Sequence, residues 1–291
     1  MMTQNVTHLS DYDTSVRHAA TVVTSLRITG EQSEEEIREL VIDVAGPPFE
    51  CKAGQCIGVI VPGAGTGDHE HFRLYTIADL PDKSRAGVTR MKLCIKRCSY
   101  IDRFSGQRFP GIASNYLCDL KPGQKLTITG PYGLAFSLPD ETGLTVVMIA
   151  VGTGIAPFRA FTRHIYENER QKVKRVWLFY GARSGLELLY MNDRNADFTK
   201  YYDEETFKAF TALSPRPNWA DPIAWDGSLA ERGEELWNMF ADPKTYVFVA
   251  GIEPLRGQLD RVFSAIAGSE QRWASRKAEL VAAQRWTELL Y

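Results

Sequence analysis

The 291-residue sequence lacks the long apolar run that a membrane-spanning helix needs. Its most apolar stretch, Leu144–Val151, has the length of a buried strand, whereas about 20 residues are required to cross a bilayer. An excess of either charge is also missing: 34 basic and 36 acidic side chains leave a net charge of −2, which encodes no general attraction to nucleic acid. The composition, 44% hydrophobic and 24% charged, excludes intrinsic disorder and predicts a globular protein of about two domains.

Cysteine is scarce, and the odd number does not suit a disulfide framework. The five cysteines are Cys51, Cys56, Cys94, Cys98 and Cys118. The spacing of the first two copies the start of a plant-type iron–sulfur run, but the position of the third ligand is Val59. The sequence therefore predicts neither an iron–sulfur cluster nor any other metal site.

The first 18 residues lack the apolar segment of a secretion signal. They mix Asp11 and Asp13 with a single Arg17, which does not fit an Arg-rich transit peptide either. We therefore predict a flexible N-terminus over residues 1–18 and a cytoplasmic protein.

The first half of the chain has the pattern of short strands separated by turn residues. β-rich segments punctuated by Gly and Pro are typical of an antiparallel barrel. The predicted strands are 20–28, 37–44, 55–61, 72–77, 90–97 and 124–129. One helix is predicted over 114–119, after Gly111 and before Pro122. We predict that this barrel comprises residues 19–141.

The second half alternates strands and helices. Continuous apolar, β-branched runs followed by amphipathic stretches are typical of a parallel sheet with right-handed crossovers. The predicted strands are 145–151, 176–180, 207–213 and 245–250, and the predicted helices are 157–169, 229–240, 254–267 and 273–286. We predict an α/β domain over residues 142–291.

A Gly-x-Gly turn follows the first buried strand of this second half. Its sequence at 152–157 is GTGIAP, with Pro157 where the dinucleotide fingerprint has its third glycine. Two glycines let backbone amides approach a pyrophosphate at the positive end of the next helix. A structural strand-to-helix turn has the same composition, but the position at the start of a βαβ series favours nucleotide binding.

A second candidate site lies on the predicted strand 72–77. Alternation sends Arg73 and Tyr75 to one face and Leu74 and Thr76 to the other. An arginine can pair bidentately with a phosphate and a tyrosine offers a flat stacking surface, although a solvated arginine beside a core tyrosine has the same pattern. The glycine-led helix start at 111–115 is a second place suited to an anion. Together they favour a phosphate-bearing cofactor.

Five motifs occur in register with the plant-type ferredoxin–NADP reductase family. They are RLYTIA at 73–78, CIKR at 94–97, SNYLCDLKPG at 114–123, GPYG at 130–133 and GTGIAPFR at 152–159. The sequence resembles this family from about residue 20 to residue 291. The resemblance implies a two-domain β plus α/β fold, in which an antiparallel FAD-binding barrel precedes a parallel-sheet domain for a nicotinamide nucleotide.

The resemblance implies roles for residues of the barrel. Arg73 neutralises the FAD pyrophosphate with help from the amides of the helix start, which are those of Ile112, Ala113 and Ser114. Tyr75, preceded by Leu74 in the motif, stacks on one face of the isoalloxazine, and Thr76 lies near its hydride-accepting nitrogen. Three residues line the flavin edge through backbone groups, namely Cys94, Ile95 and Lys96. Tyr100 stacks on the adenine.

The resemblance implies a second set of roles in the α/β domain. Thr153 faces the nicotinamide, while Gly152 and Gly154 allow its close approach. The terminal Tyr291 covers the other face of the flavin, and it must move before the nicotinamide can replace it.

Three positions depart from the family pattern. The serine beside the flavin is Thr76, which keeps the hydroxyl. The active-site cysteine is Ala250, and the glutamate near the C-terminus is Leu289. The neighbouring Glu288 is a candidate catalytic substitute, although a solvated glutamate is the simpler interpretation. These changes affect the family's proton route, whereas hydride transfer needs mainly stacking and a short distance.

Basic residues favour NADPH over NADH. The sequence after the second strand contains Arg183 and no acidic residue that would accept a ribose 2′-hydroxyl. After the third strand come Ser214 and Arg216, near the positions where the family has a serine and an arginine for the 2′-phosphate. Arginines suit that phosphate, so we predict NADPH, with NADH as the alternative.

These observations predict a flavoprotein that takes hydride from NADPH onto FAD and releases single electrons. Its partner is a ferredoxin or flavodoxin, or the iron–sulfur component of an oxygenase. The predicted docking patch is formed by Lys96, Arg97, Arg103 and Arg108. The alternatives are an NADH-dependent reductase component of a multicomponent oxygenase and a flavin-binding subunit with little turnover.

Overall fold

A computed structural model describes residues 8–63, 70–192, 197–201, 206–216 and 221–291. The chain divides into two compact units, each with its own hydrophobic core. The first contains the residues up to Ile28 and Glu34–Phe136; the second contains Thr29–Ser33 and Ser137–Tyr291. The predicted domain boundary between residues 141 and 142 lies close to the division after Phe136, and it remains a prediction.

The first unit is built on a six-stranded antiparallel sheet with the order β4-β3-β8-β1-β2-β5. The strands of this unit are β1 His18–Arg27, β2 Ile37–Ala45, β3 Cys56–Val61, β4 His71–Thr76, β5 Val88–Lys96, β6 Ser99–Ile101, β7 Arg108–Pro110 and β8 Lys125–Tyr132. A bridge between Ile77 and Leu93 joins the two outer strands of the large sheet. The predicted antiparallel barrel is therefore confirmed.

The core of this unit follows from strand alternation. Successive residues of a strand point to opposite faces, so every second side chain enters the barrel. Leu40, Ile42 and Ile57 are fully buried there. Helix α1, Ile112–Asp119, packs Leu117 into the same core. It begins two residues before the predicted start because Gly111 is itself the N-cap.

The second unit contains a five-stranded parallel sheet with the order β11-β10-β9-β12-β13. Its strands are β9 Leu144–Val151, β10 Val173–Ala182, β11 Phe207–Leu213, β12 Thr245–Gly251 and β13 Trp286–Leu290. Strand β9 is buried along its whole length, which explains its continuous apolar run. The predicted parallel sheet is confirmed, with one strand more than the four predicted.

Helices cover this sheet, and three of the four predicted ones differ in extent; the one predicted over 157–169 is an α-helix over Ile155–His164 that a π-helical turn at Ile165–Glu169 continues. The α-helices are α2 Ile155–His164, α3 Trp225–Leu229, α4 Gly233–Ala241, α5 Pro254–Ala267 and α6 Glu270–Ala282. The prediction of one helix over 229–240 is wrong, because a 3-10 turn at Ala230–Arg232 separates α3 from α4. The helix predicted to reach Trp286 ends at Ala282, after which Gln284 takes a left-handed conformation (φ 56°). Trp286 then begins β13.

The residues before β1 contact the barrel where the structure describes them. The Tyr12 ring lies 5.0 Å from the Tyr132 ring, and Arg17 forms a bidentate pair with Glu70 at 2.9 Å. Residues 1–7 of the predicted flexible N-terminus lie outside the described residues. In the described part of the chain, no helix combines the length and the apolar character needed to span a membrane.

Candidate functional site

Strand β4 carries the first group of predicted site residues. Arg73 is exposed, and its Nη1 donates to the carbonyl oxygen of Phe72 at 2.7 Å. Among the described residues, no carboxylate pairs with Arg73, so its charge is available to an anion. Tyr75 is half-buried and packs against the barrel core, and this burial raises the pKa of its hydroxyl. The strand therefore presents a cation and an aromatic ring two residues apart.

The start of α1 provides amides for an anion. The first N–H groups of a helix have no partner within it, and their dipoles favour negative charge. The hydroxyl of Ser114 is engaged locally: it accepts from the Cys98 N–H at 3.1 Å and donates to the Gly111 carbonyl at 3.4 Å. The side-chain amide of Asn115 also donates to that carbonyl, at 2.7 Å. These bonds hold the loop before α1 so that the amides at 112–114 point outward along the helix axis.

Arg97 fastens α1 to the end of β5. Its guanidinium donates to Glu36 at 2.7 Å, to Asp119 at 2.8 Å and to the side-chain oxygen of Asn115 at 3.0 Å. Hydrogen bonding to Glu36 is the largest cause that raises the pKa of Arg97. Lys96 is likewise paired, with Glu35 at 2.8 Å. Half of the predicted docking patch is therefore already neutralised by carboxylates of the same unit.

The predicted flavin-edge residues lie at the end of β5. The side chains of Cys94 and Ile95 are buried, and that of Lys96 is exposed. Helix α1 contacts both β4, which carries Arg73 and Tyr75, and β5, which carries the predicted flavin-edge residues. The elements that carry these predicted residues are therefore neighbours within the first unit.

A hairpin of β6 and β7 carries Tyr100, the predicted adenine-stacking residue. The sequence indicated neither strand, because each has only three residues. The Tyr100 ring is 58% exposed and stacks on that of Phe109, with 5.6 Å between centroids and an interplanar angle of 26°. Arg103 and Arg108 lie on the same hairpin, and in the described part of the chain neither is paired with a carboxylate.

The Gly-x-Gly turn lies at the carboxyl end of β9. Gly152 needs a left-handed conformation (φ 55°), and Gly154 lies so close to β12 that an added Cβ would be 2.1 Å from the carbonyl oxygen of Ala250. The hydroxyl of the buried Tyr180 donates to the carbonyl oxygen of Gly152 at 3.0 Å. Pro157 occupies the first turn of α2, where its missing N–H costs no helix bond. The hydrogen bond from Tyr180 and the close approach to β12 therefore fix the conformation of the Gly-x-Gly turn.

Tyr291 is held at the carboxyl edge of the same sheet. Its N–H donates to Gly251 at 3.0 Å, and its carbonyl accepts from the Glu253 N–H at 3.1 Å. The hydroxyl of Tyr291 is hydrogen-bonded to that of Thr153. Thr153, predicted to face the nicotinamide, and Tyr291, predicted to cover the flavin face that the nicotinamide would take, are therefore direct partners.

Glu288 is not a solvated residue, and that interpretation is wrong. Its side chain is 12% exposed and pairs with Arg256 at 2.7 Å and Lys277 at 3.3 Å. It also accepts a hydrogen bond from the Trp286 indole at 2.8 Å. Burial alone would raise the pKa of Glu288, but the bonds from Trp286 and Arg256 and the charge of Lys277 outweigh it and lower that pKa. These contacts tie β13 to α5 and α6.

The three residues predicted to select NADPH follow β10 and β11. Arg183 is half-buried directly after β10. The hydroxyl of Ser214 donates to the Asp221 carbonyl at 2.8 Å, so it is turned into the protein. Arg216 forms a two-point pair with the Asp221 carboxylate, at 2.8 and 3.3 Å. Residues 217–220, between Arg216 and Asp221, lie outside the described residues.

Comparisons with known proteins point to one family. The model named "Oxidoreductase NAD-binding domain" matches residues 148–260. A ferredoxin–NADP reductase of Spirulina sp. is 31% identical over 258 residues, which cover 86% of this chain and 87% of the relative. The chain belongs to the ferredoxin–NADP reductase family. The chloroplastic leaf-type isozyme of Nicotiana tabacum is 31% identical over 275 residues, covering 91% of this chain and 74% of that one.

Solved structures of this family have the same fold. The ferredoxin–NADP⁺ reductase of Plasmodium falciparum superposes with a TM-score of 0.70 at 20% identity, covering 96% of this chain and 98% of that one. A mutant of that reductase, solved in complex with 2′P-AMP, also has a TM-score of 0.70. The predicted family, fold class and oxidoreductase activity are confirmed.

Sequence reasoning missed three residues that contact the predicted site of this reductase family member. Cys56 on β3 is the cross-strand neighbour of Thr76, with 3.2 Å between sulfur and hydroxyl oxygen. Its thiol is buried, which raises its pKa. Asp221 pairs with Arg216 and Phe109 stacks on Tyr100. Only the strand register would have identified the first, and no motif pointed to the other two. Among the described residues, no three potential ligands cluster around a metal position.

Proposed function

We propose that this protein takes hydride from NADPH onto FAD and passes single electrons to a ferredoxin-type partner. The observation that supports it most strongly is Arg73, which pairs with no carboxylate among the described residues and lies on β4 with Tyr75, together with the free amides at the start of α1. A dinucleotide flavin carries both a pyrophosphate and a flat ring system, which match these groups. The two units correspond in this proposal to the flavin domain, 19–141, and the nucleotide domain, 142–291.

The residues of the first unit fit FAD. Arg73 and the amides of Ile112, Ala113 and Ser114 supply positive charge and donors for the pyrophosphate. Tyr75 supplies a stacking surface, and Tyr100 a second one for the adenine. When bound, FAD accepts two electrons as a hydride and releases them one at a time. The protein's contribution is to bind the flavin and to orient it. The hydrogen-bonded loop before α1 and the packing of Tyr75 against the barrel core hold the proposed binding groups in place.

Thr76 is the polar residue that we assign to the flavin's reactive edge. Its hydroxyl is in contact with the thiol of Cys56, which restricts the directions in which it can donate. A buried thiol with a raised pKa stays protonated at neutral pH, so it serves as a hydrogen-bond partner and not as a nucleophile. The backbone of Cys94, Ile95 and Lys96 then closes the edge of the same site.

The second unit is proposed to bind NADPH at the carboxyl edge of its parallel sheet, the usual ligand position in such sheets. Gly152 and Gly154 admit the phosphate-bearing backbone, and Thr153 contacts the nicotinamide once its bond to Tyr291 is broken. Arg183 and Arg216 are the cations for the 2′-phosphate. The names of the relatives, which are NADP reductases, support NADPH over NADH.

No side chain of the reaction edge replaces the family's cysteine and glutamate. Ala250 and Leu289 are register partners on β12 and β13, and both are apolar. Glu288 is committed to Arg256, Lys277 and Trp286, so we assign it to the anchoring of β13 and not to proton transfer. Hydride transfer requires no protein proton donor, which makes the apolar pair compatible with the proposed reaction.

Anaerobic titration of the purified protein with NADPH tests this proposal. We expect the visible absorbance of an oxidised flavin, which bleaches when one equivalent of NADPH is added. The absorbance should return when an oxidised ferredoxin is added. A parallel titration with NADH distinguishes the NADH-dependent alternative, in which NADH would bleach the flavin more readily than NADPH. A bound flavin that neither nucleotide bleaches would overturn the proposed reaction in favour of a flavin-binding subunit.

A further inference from the structure

The β6–β7 hairpin forms a two-stranded sheet of its own within the first unit. A two-stranded hairpin with three residues per strand is marginal by itself. Here its turn is held by Asp102, whose carboxylate accepts from the N–H groups of Ser105 at 2.7 Å and Phe104 at 3.2 Å. Its base is held by the Gly111 N–H, which donates to the Cys98 carbonyl at 2.9 Å. The backbone is therefore fixed although little apolar surface is buried.

The two aromatic residues of the hairpin strands form one unit. Tyr100 and Phe109 are register partners across the hairpin, so both side chains emerge on the same face. Their rings are stacked at 5.6 Å, and Phe109 is 39% exposed. Neither residue belongs to the barrel core. The exposed side of this aromatic pair offers a flat apolar surface on which another ring can stack.

We propose that Phe109 is a positioning residue that holds the ring of Tyr100 in place for an adenine, and so makes the site selective for FAD over FMN. This inference rests on the proposed function, which assigns Tyr100 to the adenine. An exposed tyrosine on a three-residue strand has several rotamers, and a stacked neighbour removes most of them. A base that stacks on the free face of Tyr100 then meets a ring that is already ordered.

The selectivity follows from which part of the cofactor reaches the hairpin. FMN has the isoalloxazine and one phosphate, which are assigned to Tyr75, Arg73 and the start of α1, but it has no adenine. A change at Phe109 therefore alters the affinity for FAD and leaves the affinity for FMN as it is. A general disturbance of the barrel would weaken both flavins together.

Phe104 supplies a matched control on the same hairpin. Its side chain is fully exposed at the turn, and in the described part of the chain it stacks on no other ring. Phe104→Ala removes the same atoms as Phe109→Ala, from a position that does not touch Tyr100. Phe109→Tyr keeps a ring against Tyr100 and serves as the conservative rescue.

The test measures dissociation constants of FAD and FMN for the flavin-free full chain by quenching of flavin fluorescence. An aromatic pair contributes enough that Phe109→Ala should raise the FAD constant about two- to tenfold. The FMN constant stays at the parent value, which also shows that the variant is folded. Phe104→Ala leaves both constants unchanged, and Phe109→Tyr restores the affinity for FAD.

Two results would overturn the inference while leaving the proposed function intact. One is a dissociation constant for FAD that is unchanged in Phe109→Ala. The other is an equal rise of the dissociation constants for FAD and FMN in Phe109→Ala that also occurs in Phe109→Leu. If the parent chain binds neither flavin, the proposed function itself fails and the inference fails with it.

Discussion

Single side chains decide which ligand groups the two units can accept. Motif register predicts flavin-binding roles for Arg73 and Tyr75, and the structure adds that Arg73 has no carboxylate partner among the described residues. The pairing of Arg216 with Asp221 was not predictable, because Asp221 lies five positions further along the chain and neither residue belongs to a helix or strand. Side-chain partners across loops depend on backbone geometry that no local pattern encodes.

Replacing Arg73 tests the phosphate assignment. We expect Arg73→Ala to raise the FAD dissociation constant about ten- to a hundredfold, because charge-assisted bonds of roughly 1.5–3 kcal/mol are lost. The measurement is the flavin content retained after dialysis. Arg103→Ala, an unpaired arginine on the β6–β7 hairpin, is the control. A fully loaded Arg73→Ala protein would refute the assignment.

Asp221 should weaken the binding of NADPH, because its carboxylate is already paired with Arg216. Asp221→Asn keeps the shape and removes the charge, so we expect the KM for NADPH to fall about two- to fivefold, the range for an exposed ion pair. Arg216→Ala should raise that KM. Steady-state rates with NADH serve as the control for both variants, since NADH has no 2′-phosphate. Equal changes with both nucleotides would mean that the pair is structural.

Whole elements were predicted well where the hydrophobic period was clear and poorly where it was not. Strand β9 and helix α5 carry unambiguous patterns, and the observed α5 has the predicted bounds. Strand β13 was missed because Trp286 and the residues around it continue the helical period of α6. The decisive difference is tertiary: β13 finds hydrogen-bond partners along β12, which local propensity does not contain.

The end of β13 should limit the access of the nicotinamide to Thr153. We expect Tyr291→Ser to bind oxidised nucleotide more tightly, because a competing contact is lost and the competent fraction rises. Tyr291→Phe removes only the hydroxyl and keeps the ring, so it separates the bond to Thr153 from the bulk of the side chain. Titration with NADP⁺, followed in the flavin spectrum, gives both affinities. Parent-like binding in both variants would show that Tyr291 does not gate the site.

The anchoring of β13 through Glu288 predicts a pH-dependent stability. Glu288→Gln should lower the free energy of unfolding by about 1.5–3 kcal/mol at pH 7, since bonds to a charged group are lost. The folded-state pKa is lowered, so this contribution is present above the unfolded value of 4.5 and disappears as the pH falls through the folded pKa. Thermal unfolding from pH 7 to pH 3 measures it.

The control for that series is Glu279→Gln on α6, because Glu279 is largely exposed in its pair with Arg276. The gap between the unfolding free energies of the parent and Glu288→Gln should begin to narrow once the pH falls below 4.5, while the control stays near the parent throughout. A gap that does not narrow between pH 4.5 and pH 3 would assign the loss to packing and not to charge.

At the scale of the whole molecule, the two-unit organisation and the family were predictable from the order of five motifs. The surface for an acidic partner was harder to predict. Of the four cations predicted to dock an acidic partner, Lys96 and Arg97 are bound to carboxylates of their own unit. Composition counts charged residues but does not show which of them pair with one another. Among the described residues, no carboxylate pairs with Arg103 or Arg108, so these two remain the candidates for docking.

Charge reversal of these two residues tests the docking surface. We expect the double variant Arg103→Glu/Arg108→Glu to raise the KM for an acidic ferredoxin and to flatten its dependence on ionic strength. The reduction of ferricyanide, a small acceptor, should keep its parent rate, and the flavin content should stay complete. Lys96→Gln is the matched comparison with little expected effect. A parent-like KM for ferredoxin in the double variant would exclude the hairpin from docking.

The contact between Gly154 and the Ala250 carbonyl bears on how this motif evolves. Because an added methyl group would overlap that oxygen, a glycine is required there for the chain to pack, whether or not a nucleotide is ever bound. A descendant that loses the reaction would therefore keep the second glycine of its fingerprint under selection for folding alone. In such lineages the second glycine of the turn would remain because the chain cannot pack without it.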